Sequence, residues 1–453
     1  MGQNNEVKYY PDKFYIRLDG CDLSNLFVTN EDFILSKDQA VFIHEYYHYL
    51  TNLTTFQGVR SFHAAFCDLF RLVTILTYHK GLDAFPVENN KLIDCAYEIR
   101  YWNDLNEIFR EDNVNKALSI EALNSPSKNF KITNISMEYG NEFMVIKDGV
   151  EERGRRELLK IDVEGLLQTT SFHLPIGAID EFLSSSIDEF LFEKGLSDNK
   201  DVFKRPFYPY FAFDEVLKYF NLKFGSREKI IIAYYAIHSK NPTISLYKIL
   251  SKLQLCGTDD FEKDPCNYLE SFFPIYSQYD GLIREIDKFI QEAQSQRRSL
   301  TGHILSYFQD RFITAVALLK KDPLFFLRPF LIENLDDVRS RQEFWIDFIR
   351  IKTCFPEPLM IQGKEFVTTR PSEYGADLTI LALAIFEIME SLEKNKFAKR
   401  MPHYKDKYNY PNDADNSDEI STFTDPPLKV YWHKALNELG LYQFYRDNVK
   451  TEI

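Results

Sequence analysis

The sequence predicts a mainly α fold of the α+β kind: a helical core carrying a small antiparallel β-sheet, followed by a helical C-terminal half. Three observations predict it. Phe (39) and Tyr (27) are abundant and Gly (17) and Pro (18) sparse in 453 residues, which suits long helices and aromatic packing better than a turn-rich all-β chain. Apolar residues recur at helical spacing through most of the chain. Between 128 and 163 that period gives way to alternation.

Residues 1–35 mix turns with short extended pieces such as KFYIRL. Ser36, with Gln39 three positions on, forms a capping box that opens a helix through KDQAVFIHEYYHYLTNLTTF to about Phe56, and Gly58 stops it. VRSFHAAFCDLFRLVTILTYHKG predicts a second buried helix ending at Gly81, and 82–127 read as further helix and loop. The stretch 128–149 alternates apolar and polar residues, with turn signals at Tyr139-Gly140 and Asp148-Gly149; with ELLKIDV at 157–163 it predicts a small antiparallel sheet. Pro175 then opens a helix that Gly195 closes.

From Asn199 onward the pattern is helical, in FDEVLKYFNLKF, EKIIIAYYAI, PTISLYKILSKLQL, EIDKFIQEAQSQ and ADLTILALAIFEIMESLEK. The breaker-rich stretch 405–427 reads as a surface loop or a cover over a cleft. The length exceeds what one core usually supports. The chain therefore divides into a core over 1–198 and a helical region over 199–453, with the boundary in SDNKD, 197–201.

A net charge of −14 argues against non-specific nucleic-acid binding, which needs a positive surface for the phosphates. The short basic run Arg153, Arg155 and Arg156 reads as a solvated hairpin tip. Six cysteines are scattered without a CxxC pair, as expected of reduced thiols. No secretory signal opens the chain, and the longest apolar run, 378–389, is too short to span a bilayer and is broken by Glu387. A cytoplasmic protein with no membrane partner is the expectation.

FIHEYYHYL, 42–50, carries the chemistry. On a helix His44 and His48 share one face, one turn apart, and can aim imidazole nitrogens at one ion. Glu45 lies beside them and can reach a bound water as general base. Two imidazoles, a carboxylate and an open position suit zinc, which lowers the pKa of that water. Two histidines buried without a metal would need other partners. A third ligand is required, and Leu50, Asn52 and Thr55 do not supply the HxxGxxH extension. His63 is available by position but reads as a core or surface histidine.

HEYYHYLTNLTTFQG resembles the active-site helix of a group of bacterial intracellular zincin-type (gluzincin-like) metallopeptidases, in which HEYxHxLQ is followed by a threonine pair and a glycine. Thr54, Thr55 and Gly58 match that part. In the group a later helix opens with a Gly-Ala step and carries a glutamate ligand, and Gly177, Ala178 and Ile179 followed by Glu181 resemble it. Asn52 departs from the group's Gln, and the interval from Gly177 to Glu181 is short. The resemblance implies a zincin-like helical catalytic core in which His44, His48 and Glu181 hold Zn2+ and Glu45 is the base. It allows a stress-, toxin- or defence-linked role.

The residues leave the third ligand open. Ile176, Ile179, Leu183, Ile187 and Phe190 form an apolar stripe, and Asp180 lies nearer to it than Glu181 does; Glu189 is a more distant rival. A donor for a developing oxyanion would come from His173, Arg370, Tyr374 or His403, while Tyr47 points the wrong way. The hairpin between the ligand helices can offer an edge to a substrate strand or simply cover the core. The function expected is hydrolysis of a peptide bond in a restricted protein substrate, with the C-terminal half shaping access, restraining activity or binding a regulatory partner. The alternatives are a non-catalytic helical interaction protein with a structural metal, and a metal-dependent amidohydrolase acting on a small substrate.

Overall fold

The computed structural model describes residues 7–10, 15–22, 26, 30–58, 130–147, 150–165, 169–199, 207–275, 299–355, 358–362 and 365–367. The expected helices over 59–81, 285–296 and 376–394, the stretch 82–127 and the loop 405–427 lie outside them. So do His63, Arg370, Tyr374 and His403. The described part is mostly helical with two small sheets.

The chain begins with β1 (Val7–Tyr10) and β2 (Tyr15–Leu18), an antiparallel pair. β6 (Leu359–Gln362) adds in parallel beside β2, and β7 (Glu365–Val367) closes the order β1-β2-β6-β7. Only β2 is foreshadowed, in KFYIRL. The other strands have four residues or three, too few for alternation to register.

α1 (Lys37–Thr54) starts at the expected capping box: Gln39 N–H donates to Ser36 Oγ, and Ser36 N–H donates to the Gln39 side chain at 2.7 Å. The helix is buried nearly all round. Tyr46, Tyr47 and Tyr49 supply aromatic bulk on three sides, and each hydroxyl meets a polar partner, as burial requires. Tyr46 donates to the Phe355 carbonyl, Tyr47 donates to the Phe326 carbonyl at 2.9 Å, and Tyr49 accepts from Arg311. Residues on both sides of position 199 thus pack on this one helix, and their apolar side chains join one buried cluster.

β3 (Lys131–Lys147), β4 (Val150–Glu164) and β5 (Thr169–His173) form the antiparallel sheet expected from the alternating stretch. The hairpin is longer than expected. Tyr139-Gly140 does not turn the chain; β3 continues through it, and the pairing register shifts between Tyr139 and Glu142. A glycine and a polar neighbour can end a strand or let one extra residue bulge from it, and here the ladder on both sides keeps the strand going. Arg153 and Arg155 accordingly take positions in β4, opposite Met144 and Glu142, and not at a hairpin tip.

α2 (Ile176–Glu193) begins after Pro175. It ends where Gly195 takes φ +64°, with Leu196 N–H donating to the Leu191 carbonyl and Gly195 N–H to that of Phe192, the paired bonds of a glycine C-terminal cap. Further helices follow: α3 (Ala212–Tyr219), α4 (Ser226–Ile237), α5 (Pro242–Cys256), α6 (Asp259–Lys263), α7 (Pro265–Phe272), α8 (Ser299–Lys321) and α9 (Val338–Cys354). α2 lies between α1 and α4. No described helix is long and apolar enough to cross a membrane. Of the described cysteines, Cys21 and Cys266 are buried and Cys256 and Cys354 exposed, all as free thiols.

Candidate metal centre

The facing surfaces of α1 and α2 meet at His44, His48 and Glu181. The two imidazole Nε2 atoms stand 3.2 Å apart. Glu181 caps the pair, with Oε2 3.7 Å from Nε2 of His44 and Oε1 3.7 Å from Nε2 of His48. One ligand atom from each residue lies within 4.8 Å of the others, and both histidines are buried, so the group can hold a metal ion.

What fixes the rings in this pose comes from α2. Asp188 Oδ2 lies 2.7 Å from Nδ1 of His44, and Asp180 Oδ2 lies 2.8 Å from Nδ1 of His48. A carboxylate only accepts, so each Nδ1 carries a proton. In the neutral ring that places the lone pair on Nε2. Thr51, one turn beyond His48, donates to the other oxygen of Asp180 at 2.6 Å and steadies it. The result is three electron-rich groups, two Nε2 and one carboxylate, converging on one point inside the protein. Such a convergence is repulsive unless a positive charge sits in it.

The electrostatics say the same. Burial alone would keep the histidines neutral, but Asp188 beside His44, and Asp180 with Glu181 beside His48, outweigh it and raise the affinity of both rings for a proton. A cation supplies that charge equally well, and Nδ1–H bonded to a carboxylate is the arrangement that orients metal-binding imidazoles.

Glu45 occupies the flank of this cluster and is buried. Its Oε2 accepts the backbone N–H of Tyr9 at 2.6 Å. Burial pushes its carboxyl above the ordinary range, while the two imidazoles and the Tyr9 N–H pull in the opposite direction. Its position beside His44 is the one that HExxH on a helix dictates.

The remaining candidates are placed by what they touch. Asp180 is at the site, holding His48 from behind. Glu189 points elsewhere, pairing with Lys229 of α4 at 2.8 Å. His173 lies 3.3 Å from Glu138 in the β3–β4–β5 sheet, and Tyr47 reaches Phe326. Asp188 is the residue that sequence reasoning misses. A signal is there: the tetrapeptide IDEF occurs at 179–182 and again at 187–190. Eight residues amount to about 80° beyond two full helical turns. That rotation brings Asp188 onto the side of Glu181 and carries Glu189 round toward α4.

Comparison with protein-family models, with curated proteins and with solved structures finds no match.

Proposed function

We propose that the protein is a zinc-dependent hydrolase of peptide bonds, with His44, His48 and Glu181 as metal ligands and Glu45 as the proton acceptor. The observation that carries this reading is the pair of aspartates behind the histidines, which turns both Nε2 lone pairs toward Glu181. Ligand atoms about 2.0–2.1 Å from a tetrahedral zinc stand about 3.3 Å apart, so separations of 3.2 and 3.7 Å need only a small closing movement. Three ligands of this kind leave one position open, the pattern of a catalytic zinc site and not of a structural one.

Zinc bound there would polarise the substrate carbonyl and lower the pKa of a water to near neutrality. The chain's own groups do the rest. Glu45, beside His44, takes the proton from the attacking water and passes it to the departing amine. Its burial pushes the carboxylate toward a stronger base than a solvated one, while the neighbouring positive charge would pull the other way. Asp180 and Asp188 keep the imidazoles from turning, and Thr51 keeps Asp180 from turning. A restricted protein substrate suits such a site better than broad digestion, since an unrestrained peptidase would damage the proteins around it.

The test begins with elemental analysis of the purified full chain beside His48→Ala and Glu45→Gln. The reading expects about one zinc per chain, lost in His48→Ala and kept in Glu45→Gln. New amino termini in a peptide mixture, mapped by mass spectrometry, should form with the native chain and not with Glu45→Gln. No zinc after reconstitution, or equal cleavage by both, would sink the reading. Zinc whose removal unfolds a chain that cleaves nothing would instead make the metal structural.

A further inference from the structure

We propose that the backbone amide of Tyr9 positions Glu45, a role that rests on the hydrolase reading above. Tyr9 sits in β1, opposite Ile16 of β2, yet its N–H does not enter the β1–β2 ladder; it donates to Glu45 Oε2 at 2.6 Å, inside the protein. In an antiparallel pair alternate residues turn their backbone groups outward, so this amide belongs to the outer edge of β1, the terminal strand of the described sheet. The edge of the sheet is thereby fixed to the motif helix at Glu45, the carboxylate between the two histidines.

The same residue is tied to α1 twice more. Asn52 donates to the Tyr9 hydroxyl at 3.0 Å, and the Tyr9 ring meets Tyr49 edge-on at 5.9 Å. Glu45, Tyr49 and Asn52 fall at i, i+4 and i+7, one stripe of the helix. Tyr9 therefore runs along the stripe that starts at Glu45, while the His44–His48–Thr51 stripe faces α2. Asn52, the position that departs from the resembling metallopeptidases, serves here as an anchor for β1.

The consequence is at the level of single atoms. A glutamate side chain has three free torsions, and a base works only when its oxygen is held within reach of the proton it takes. The Tyr9 N–H commits Oε2 and sets the carboxylate plane. Oε1, which has no hydrogen-bond partner among the described residues, is left as the oxygen that accepts the proton. Tyr9 is thus a positioning residue acting through Glu45, and it acts through its backbone.

Proline at position 9 deletes that bond together with the ring and phenol, and Tyr9→Ala, which deletes ring and phenol but keeps the N–H, isolates the amide by comparison. Because the amide points out of the ladder, proline removes no strand hydrogen bond. The probe is acetohydroxamic acid, a small zinc-binding group that shares a proton with a neighbouring base. Its binding to the zinc-loaded full chain is measured by titration calorimetry, with zinc content determined for each variant. Tyr9→Pro is expected to bind the probe about tenfold more weakly than Tyr9→Ala at unchanged zinc content. Tyr9→Phe, which keeps amide and ring, should stay within about twofold of the native chain. Glu45→Gln should weaken binding too, and the double variant should bind no more weakly than the weaker single one, because both changes remove the same function.

Equal binding by Tyr9→Pro and Tyr9→Ala, or losses that multiply in the double variant, would overturn the positioning role and leave the hydrolase reading standing. A zinc-loaded native chain that does not bind the probe at all overturns that reading, and the positioning role with it. If Tyr9→Pro fails to fold, hydrogen exchange at the Tyr9 amide, read in the native chain and in Glu45→Ala, replaces it. Faster exchange in Glu45→Ala is then expected, and an unchanged rate counts against the role.

Discussion

The carboxylate of Asp188 lies 2.7 Å from Nδ1 of His44, on the far side of the ring from Glu181. That contact decides which nitrogen of His44 faces the ligand cluster. A ring without it is free to turn over or to place its proton on Nε2, and either change removes a ligand. Asp188→Asn keeps the shape and an acceptor oxygen but drops the charge. We expect zinc affinity to fall at least about tenfold, within the range seen when groups behind metal ligands are changed. Competition against a chelator of known affinity measures it, and an unchanged affinity would show that His44 needs no such support.

Glu189 repeats the sequence context of Glu181 and should behave in the opposite way. Lys229 lies 2.8 Å from it and 2.5 Å from Asp214, all three mostly shielded from water. Glu189→Gln should therefore leave the metal content at its native value and lower the unfolding free energy by about 2 kcal/mol, the worth of a hydrogen bond between charged groups. Glu181→Gln should do the reverse, reducing metal content with little effect on the stability of the metal-free chain. Metal loss in Glu189→Gln would mean that the wrong glutamate has been placed at the centre.

The parts of the site that share one helical turn are legible in the sequence, and those that meet through tertiary packing are not. His44, Glu45 and His48 follow from the period of a single helix, and the capping box at Ser36 places its start to the residue. Glu181 rests on a resemblance, because no spacing rule links residues on two separate helices. Asp188 is hidden from a stripe argument that follows apolar side chains only. Asp180, Ser184 and Asp188 mark a polar line along one face of the helix, and Ser184 is fully buried there. The same limit applies to the fold. The alternation from 128 to 163 declares a sheet, whereas β6 depends on pairing with β2, more than three hundred positions earlier, and nothing local records it; β7 in turn pairs with β6.

Gly58 stands where a helix stop is expected, yet α1 already ends at Thr54, with Thr55 as its C-cap. The Gly58 N–H donates to Thr55 Oγ1 at 3.0 Å, and a Cβ built on this glycine would stand 2.0 Å from the Asn52 carbonyl oxygen. That neighbour is backbone, so it cannot swing aside. Gly58→Ala should force the chain after α1 outward and lower stability by about 1–3 kcal/mol. Thermal melting of the variant beside the native chain checks this, and an unshifted midpoint would show that the turn relaxes freely.

His238 gives the fold a pH dependence of known sign. It is buried at the end of α4, 2.8 Å from the Tyr234 carbonyl through Nδ1 and 3.2 Å from Thr54 Oγ1 through Nε2. Burial lowers its pKa from 6.5 to about 4, against a smaller upward pull from the Tyr234 carbonyl. The unfolded chain therefore binds a proton at this residue between pH 6.5 and about 4 while the folded chain does not. Stability from this group is fully present above pH 6.5 and is lost as pH falls toward about 4. Between pH 7 and pH 5 the loss is on the order of 2 kcal/mol. Other groups titrate over the same interval, so the native chain is compared with His238→Gln, whose amide can bond the same two partners without gaining a proton. Urea unfolding at pH 7, 6 and 5 should show the native chain losing stability faster than the variant. Parallel curves would place His238 in contact with water and out of the core.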